Sequence, residues 1–221
     1  MTGPLRGLYA ITTPAPTARL LTAVAQAIAG GASLVQYRYK NGPAAMRRQQ
    51  AMQLVELCQQ HKVPLIINDD IGLAKAVQAD GVHLGQGDGA ISEARERLGP
   101  TAIIGASCYN CLKLAQRAAA EGADYVAFGS FFPSATKPNA VQAPLQLLHQ
   151  ARRTLEIPIV AIGGITPQNG ARLLTAGADA LAVIDGLFGR EDTAAAARHY
   201  LYLFQNPGAL CPSDEQVCNQ C

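Results

Sequence analysis

Apolar residues along the chain gather in short, β-rich runs. They lie at 8–12, 33–38, 64–68, 81–85, 102–107, 124–129, 158–163 and 179–184. Between them run Ala-rich stretches such as 44–61, 111–121 and 167–176, where apolar residues recur at helical spacing. A last helical stretch covers roughly 192–204. One phrase recurs at the strand starts: AGGAS before the second run, EGAD before the sixth, AGAD before the eighth, and QAD-GV opening the fourth. Glycine ends a helix readily because it accepts the left-handed conformation, and the small residue after it allows a tight entry into the next strand. Eight such βα units predict an α/β protein, a parallel eight-stranded (β/α)8 TIM barrel formed as a single domain over 1–205. An open doubly wound sheet would call for a GxGxxG turn after the first strand, and none follows 8–12. Residues 206–221 are rich in Pro, Gly, Ser and Asn without apolar periodicity and read as an exposed, disordered tail.

Composition narrows the picture. At 221 residues the chain suits one barrel-sized domain. With no Trp, the core must be built from Val, Ile, Leu and Ala. The formal net charge of +2, with no long Lys/Arg run, argues against a nucleic-acid partner. The N-terminal MTGPLRGLYAITT has no apolar run long enough for a signal peptide or a membrane span, so a cytoplasmic protein without a membrane partner is expected. Oligomeric state stays open between monomer and homo-oligomer.

In a barrel, catalytic groups collect at the C-terminal ends of the strands. The polar residues at those ends are Gln36, Arg38 and Lys40, then Asn68 and Asp69, Gln86 and Asp88, Ser107, and Ser134, Thr136 and Lys137, with Gly163 and Gly164 after the seventh run. The N-terminal ends are expected to carry no comparable set. In QYRYK, Gln36, Arg38 and Lys40 alternate onto one side of an extended chain. Two cations on an internal strand are costly to bury without an anion, so a bound anion is expected there. Asp69 and Asp88 end adjacent strands and read either as helix caps or as a Mg2+ pair. Gly163-Gly164-Ile165 followed by Thr166-Pro167 suits a phosphate grip, completed by Ile184, Asp185 and Gly186; the competing reading is a tight turn that binds nothing. Lys137 is either a solvated loop lysine or part of an anion clamp with the hydroxyls of Ser134 and Thr136. His83 reads as a packed histidine.

The ordered motifs LYAIT, QYRYK, IINDD, DGVHLGQGD, IGAS, GADYVAFGSFFPSATK, VAIGGI and GADALAVI resemble those of the thiamin phosphate synthase family from Leu8 to about Phe188. The resemblance implies a (β/α)8 transferase. It would condense 4-amino-2-methyl-5-pyrimidinylmethyl pyrophosphate with a thiazole phosphate and release pyrophosphate. It further implies that Gln36, Arg38, Lys40, Asn68 and Lys137 contact the pyrophosphate and that Asp69 and Asp88 hold Mg2+. Ser107 would lie by the pyrimidine, while Ser134, Thr136, Gly164, Ile184 and Asp185 would face the thiazole phosphate. Arg38, Lys40, Lys137 and Mg2+ set against Asp69 and Asp88 leave a formal charge of about +3, suited to a pyrophosphate leaving group. Arg38, Lys40, Lys137 and Ser107 are the expected catalytic residues, and no side-chain nucleophile is needed.

Three positions depart from the family pattern. Asp185 stands where a small hydroxyl residue is usual, Ser134 replaces Thr, and Gly87 replaces an acidic residue. Two other readings compete: a thiazole tautomerase-like paralogue, and a non-catalytic phosphate-binding barrel. Cys108 and Cys111, like Cys218 and Cys221, have CxxC spacing. They read as unrelated reduced thiols, with a zinc site as the alternative if the tail folds back.

Overall fold

Each apolar run becomes a parallel strand in the computed structural model, which describes residues 5–133 and 141–206. The strands are β1 (Gly7–Ile11), β2 (Ala32–Tyr37), β3 (Leu65–Asn68), β4 (Gly81–Leu84), β5 (Ile103–Tyr109), β6 (Tyr125–Phe128), β7 (Ile159–Ile162) and β8 (Ala180–Val183). They pair in sequence order, and β8 closes on β1 to complete a barrel. The intervening helices are α1 (Thr17–Ala29), α2 (Ala44–His61), α3 (Ile71–Val77), α4 (Ile91–Leu98), α5 (Leu112–Ala120), α6 (Leu145–Thr154) and α7 (Pro167–Thr175). A four-residue helix α8 (Asp185–Phe188) and the closing helix α9 (Thr193–Gln205) follow β8. Ser134, Thr136, Lys137 and the cysteines of the tail lie outside the described residues.

Two apolar layers hold the barrel. The larger lies between strands and helices, where Val35, Leu65, Ile67, Ile104, Ile159 and Leu181 meet the buried faces of the helices. The smaller fills the barrel itself with Tyr9, Ile11, Leu34, Ile66, Tyr125, Val160 and a few alanines. Period-two alternation sends successive side chains to these two layers. Small residues make room for the interior tyrosines: a Cβ at Gly105 would collide with the Tyr125 ring.

The N-terminal mouth carries a polar set that the sequence pattern had not led us to expect there. Asp80, Asp124 and Asp179 are the aspartates of the recurrent strand-start phrases. Each carboxylate accepts a hydrogen bond from the first N–H of an earlier strand or its neighbour: Asp80 from Leu65 at 2.8 Å, Asp124 from Ile104 at 2.7 Å, Asp179 from Ile159 at 2.8 Å. Arg95 and Arg152 pair with Asp124 and Asp179 at 2.7 and 2.8 Å. The expectation of an unadorned N-terminal face is therefore corrected. A strand's first N–H at a barrel rim needs an acceptor, and an aspartate one strand away supplies it.

Candidate active site

The C-terminal mouth opens as a cleft of about 840 Å³, lined by residues from the ends of all eight strands. Gln36, Arg38, Lys40, Asn68, Asp69 and Asp88 line one side of it. Ser107, Gly164, Ile184 and Asp185 line the rest, whereas Gln86, also singled out from the sequence, does not line the cleft. The end of β2 is fixed by Thr12, whose hydroxyl accepts from the Arg38 N–H at 2.9 Å and whose own N–H donates to the Gln36 carbonyl at 2.9 Å. Gln36 is buried, and Arg38 has no ion pair among the described residues. A cation held at a barrel mouth without a protein counter-ion is a seat for an anion.

The neighbouring aspartates separate into distinct roles. Asp70 is the N-cap of α3, its carboxylate accepting from the Leu73 N–H at 2.8 Å, and it also pairs with Arg47 at 2.8 Å. Asp69 is no cap. It sits at φ 64°, a left-handed conformation uncommon outside glycine, and its carboxylate pairs with Lys40 at 2.8 Å. Asp88 likewise caps nothing: Ala90 is the N-cap of α4, and the Asp88 carboxylate accepts from the Gly85 N–H at 2.9 Å. The Asp69 and Asp88 carboxyl groups lie close enough to shift each other's protonation. Burial works to raise the Asp69 carboxyl, but hydrogen bonds from Lys40, Asp88 and Asn68 and the Lys40 charge outweigh it and lower it. Asp88 is raised, first by burial and then by its contact with Asp69, against the pull of the Gly85 N–H and Lys40. Two carboxylates crowded this way form a donor set that a hard divalent cation satisfies. No cluster of three or more His, Cys, Asp or Glu side chains suited to a metal occurs among the described residues. The two carboxyl groups would offer oxygen ligands to a Mg2+ ion.

The floor of the cleft is a hydrogen-bonded relay across five strands. Gln36 Nε2 donates to the Tyr9 hydroxyl at 2.7 Å, and Tyr9 and Tyr125 hydroxyls meet at 2.8 Å. His83 Nδ1 lies 2.9 Å from the Tyr125 hydroxyl, and its Nε2 lies 2.9 Å from Ser107 Oγ. Burial raises both tyrosines and holds them protonated. Burial lowers His83 to about 4, well past the opposing effect of the Asp69 charge, so the imidazole is neutral. One proton arrangement satisfies every member. Each group donates onward from Gln36 through Tyr9, Tyr125 and His83 to Ser107, since the reverse order would leave the buried Tyr9 hydroxyl, already accepting from Gln36, without an acceptor. Ser107 then keeps its own proton for a ligand. His83 is thus packed, as its strand position suggested, and bonded to a site residue as well. Tyr9 and Tyr125 escaped the sequence reading; the signal was a phenol at an inward position of an otherwise aliphatic strand.

On the β7 side, Gly163 and Gly164 have φ of 105° and 59°. A Cβ at either would collide with the segment after β6, at Ser130 and at the Pro133 carbonyl respectively. Glycine is therefore required here by loop packing. The N–H of Gly164 has no acceptor among the described residues, whereas the Thr166 N–H donates to Asn169 Oδ1 at 2.8 Å. Gly87 is exposed, and a Cβ there would meet nothing within 4 Å, so its departure from the family pattern faces open space. Cys108 is a buried free thiol raised by burial to about 12, and Cys111 is a partly exposed free thiol lining the cleft.

The chain matches a known family. The family model described as Thiamine monophosphate synthase matches residues 8–187. The chain belongs to that family. Thiamine-phosphate synthase from Thiobacillus denitrificans is 53% identical over 199 residues, covering 90% of this chain and 94% of that protein. Thiamine-phosphate synthase from Methylobacillus flagellatus is 54% identical over 202 residues, covering 91% and 96%. Among solved structures, thiamine phosphate pyrophosphorylase from Pyrococcus furiosus superposes with a TM-score of 0.82 at 35% identity, covering 92% of this chain and 97% of that one. The synthase family assignment thus spans the barrel from β1 to α8.

Proposed function

We propose that the protein is a thiamin phosphate synthase, a transferase that joins 4-amino-2-methyl-5-pyrimidinylmethyl pyrophosphate to a thiazole phosphate. The observation that carries this reading is the pair of cations just after β2, Arg38 and Lys40, facing two crowded carboxylates, in a chain more than half identical to proteins of that name. The reaction breaks the bond between the pyrimidine methylene carbon and a pyrophosphate oxygen. The methylene carbon, left cationic, is captured by the thiazole nitrogen. The difficult step is stabilising charge on the departing oxygen.

In this reading Arg38, Lys40 and Lys137 take up that charge, with Gln36 and Asn68 orienting the pyrophosphate. Asp69 and Asp88 hold Mg2+, which supplies positive charge to the pyrophosphate when bound. Lys40 leaves its Asp69 partner to meet the phosphate. Ser107, aimed by His83, hydrogen-bonds the pyrimidine. Ser134, Thr136, Gly164 and the backbone at Ile184 and Asp185 hold the thiazole phosphate. A tautomerase has no need of Lys40, Asp69, Asp88 and Lys137 together, which favours the synthase. No helix among the described residues is long and apolar enough to cross a membrane. We place the reaction in the cytoplasm.

The test is formation of thiamin phosphate and pyrophosphate with and without Mg2+, for wild type and Asp88→Ala. Product should require Mg2+ and fall by about 100-fold in the variant. Folded wild type that makes no product from both substrates overturns the proposal. Product that survives Asp88→Ala keeps the enzyme and discards the metal pair.

A further inference from the structure

We infer that Arg190, in the segment between α8 and α9, is a binding residue for the anionic group of the thiazole substrate. The inference rests on the synthase reading above.

Both substrates carry phosphate, and the cleft must seat the two anions apart. Among the described residues the cations lining it are Arg38, Lys40 and Arg190. Arg38 and Lys40 belong to the end of β2, and Lys40 reaches Asp69 beside the carboxylate pair. They serve one anion on that side. Arg190 lies on the β8 side, just past Asp185-Gly186, where the phosphate grip was expected.

That side needs a cation. Its backbone offers the Gly164 N–H, which has no acceptor among the described residues, while the Thr166 N–H is taken by Asn169 and Pro167, the first residue of α7, has no N–H. Helix α8 has only four residues and gives little dipole. Asp185 adds a carboxylate to the same wall. A guanidinium five residues on brings positive charge there and presents a fork of donors suited to phosphate or carboxylate oxygens. Arg190 is positioned for this: its backbone N–H donates to the Leu187 carbonyl at 3.2 Å, which ties the segment to α8. Its side chain is exposed, lines the cleft, and has no ion pair among the described residues.

Steady-state kinetics of Arg190→Gln and Arg190→Lys against wild type would test this, varying each substrate in turn. We expect KM for the thiazole phosphate to rise about tenfold in Arg190→Gln and less in Arg190→Lys, with kcat and the KM for the pyrimidine pyrophosphate within about twofold. Titration calorimetry with the thiazole phosphate and with its unphosphorylated alcohol provides the second arm. Only the phosphate's affinity should fall in Arg190→Gln. An unchanged thiazole phosphate KM and affinity overturns the inference, as does an equal rise in both KM values. Wild type that binds the thiazole phosphate through Arg190 yet forms no product would sink the synthase reading while leaving this site standing.

Discussion

Asp69 and Asp70 are adjacent in sequence and opposite in purpose, and only their hydrogen bonds separate them. Either could cap α3 on sequence grounds. The structure gives the cap to Asp70 and turns Asp69 into the cleft through a left-handed backbone. Asp70→Ala should therefore lower stability by about 1 kcal/mol in urea unfolding, while kcat stays near wild type. Asp69→Asn should do the reverse: asparagine tolerates the same backbone, and the Lys40 pair is partly exposed, so stability should change by about 0.5 kcal/mol or less while Mg2+-dependent turnover collapses. The relay on the cleft floor makes a third case. Tyr125→Phe removes the hydroxyl that joins Tyr9 to His83 and leaves buried partners unsatisfied, at a cost of about 1–3 kcal/mol. His83 carries the pH dependence. Its folded pKa, about 4, lies below the ordinary histidine value, so folding favours the neutral ring. Its contribution is complete above about pH 6.5 and is lost as pH falls towards 4, on the order of 3 kcal/mol in all. Unfolding free energies measured across that window should slope downward on acidification, and His83→Gln should flatten the slope.

At the level of elements, the alternation of apolar runs with Ala-rich stretches was enough to place all eight strands, because strands buried on both faces read as unbroken apolar segments. The side of each strand facing the barrel was harder to read, since Ile and Leu occupy both layers. The site residues were legible where charge interrupts a strand end, as at Arg38, Lys40, Asp69 and Asp88. Tyr9, Tyr125 and Arg190 were not legible. A phenol inside an aliphatic strand looks like core, and an arginine in a polar loop looks like surface; only closure of the barrel brings them to the cleft. In the recurrent strand-start phrase the glycine and small residue signal the turn, while only the folded barrel shows its aspartate accepting an N–H from the strand before. Asp124→Ala should strip the Ile104 N–H of its acceptor and Arg95 of its ion partner and cost about 2 kcal/mol in thermal or urea unfolding. Both KM values should remain unchanged, because the residue lies at the mouth opposite the cleft.

For the whole molecule, the barrel divides its two ends by kind of interaction. The N-terminal rim is tied by aspartates that accept strand N–H groups, two of them ion-paired to arginines, and those bonds are satisfied within the protein. At the C-terminal mouth Arg38 and Arg190 stand without ion pairs among the described residues, and two carboxylates crowd each other. That arrangement costs stability in the absence of ligand, and binding both substrates with Mg2+ should raise the melting temperature. Differential scanning calorimetry should show the increase with thiazole phosphate and pyrophosphate together, and a smaller one in Asp88→Ala. The aspartate ties also bear on descent. Because each joins neighbouring strands without reaching the cleft, a lineage can rewrite the loops of the opposite mouth, and with them its choice of substrate, while the rim that keeps the barrel closed is inherited intact.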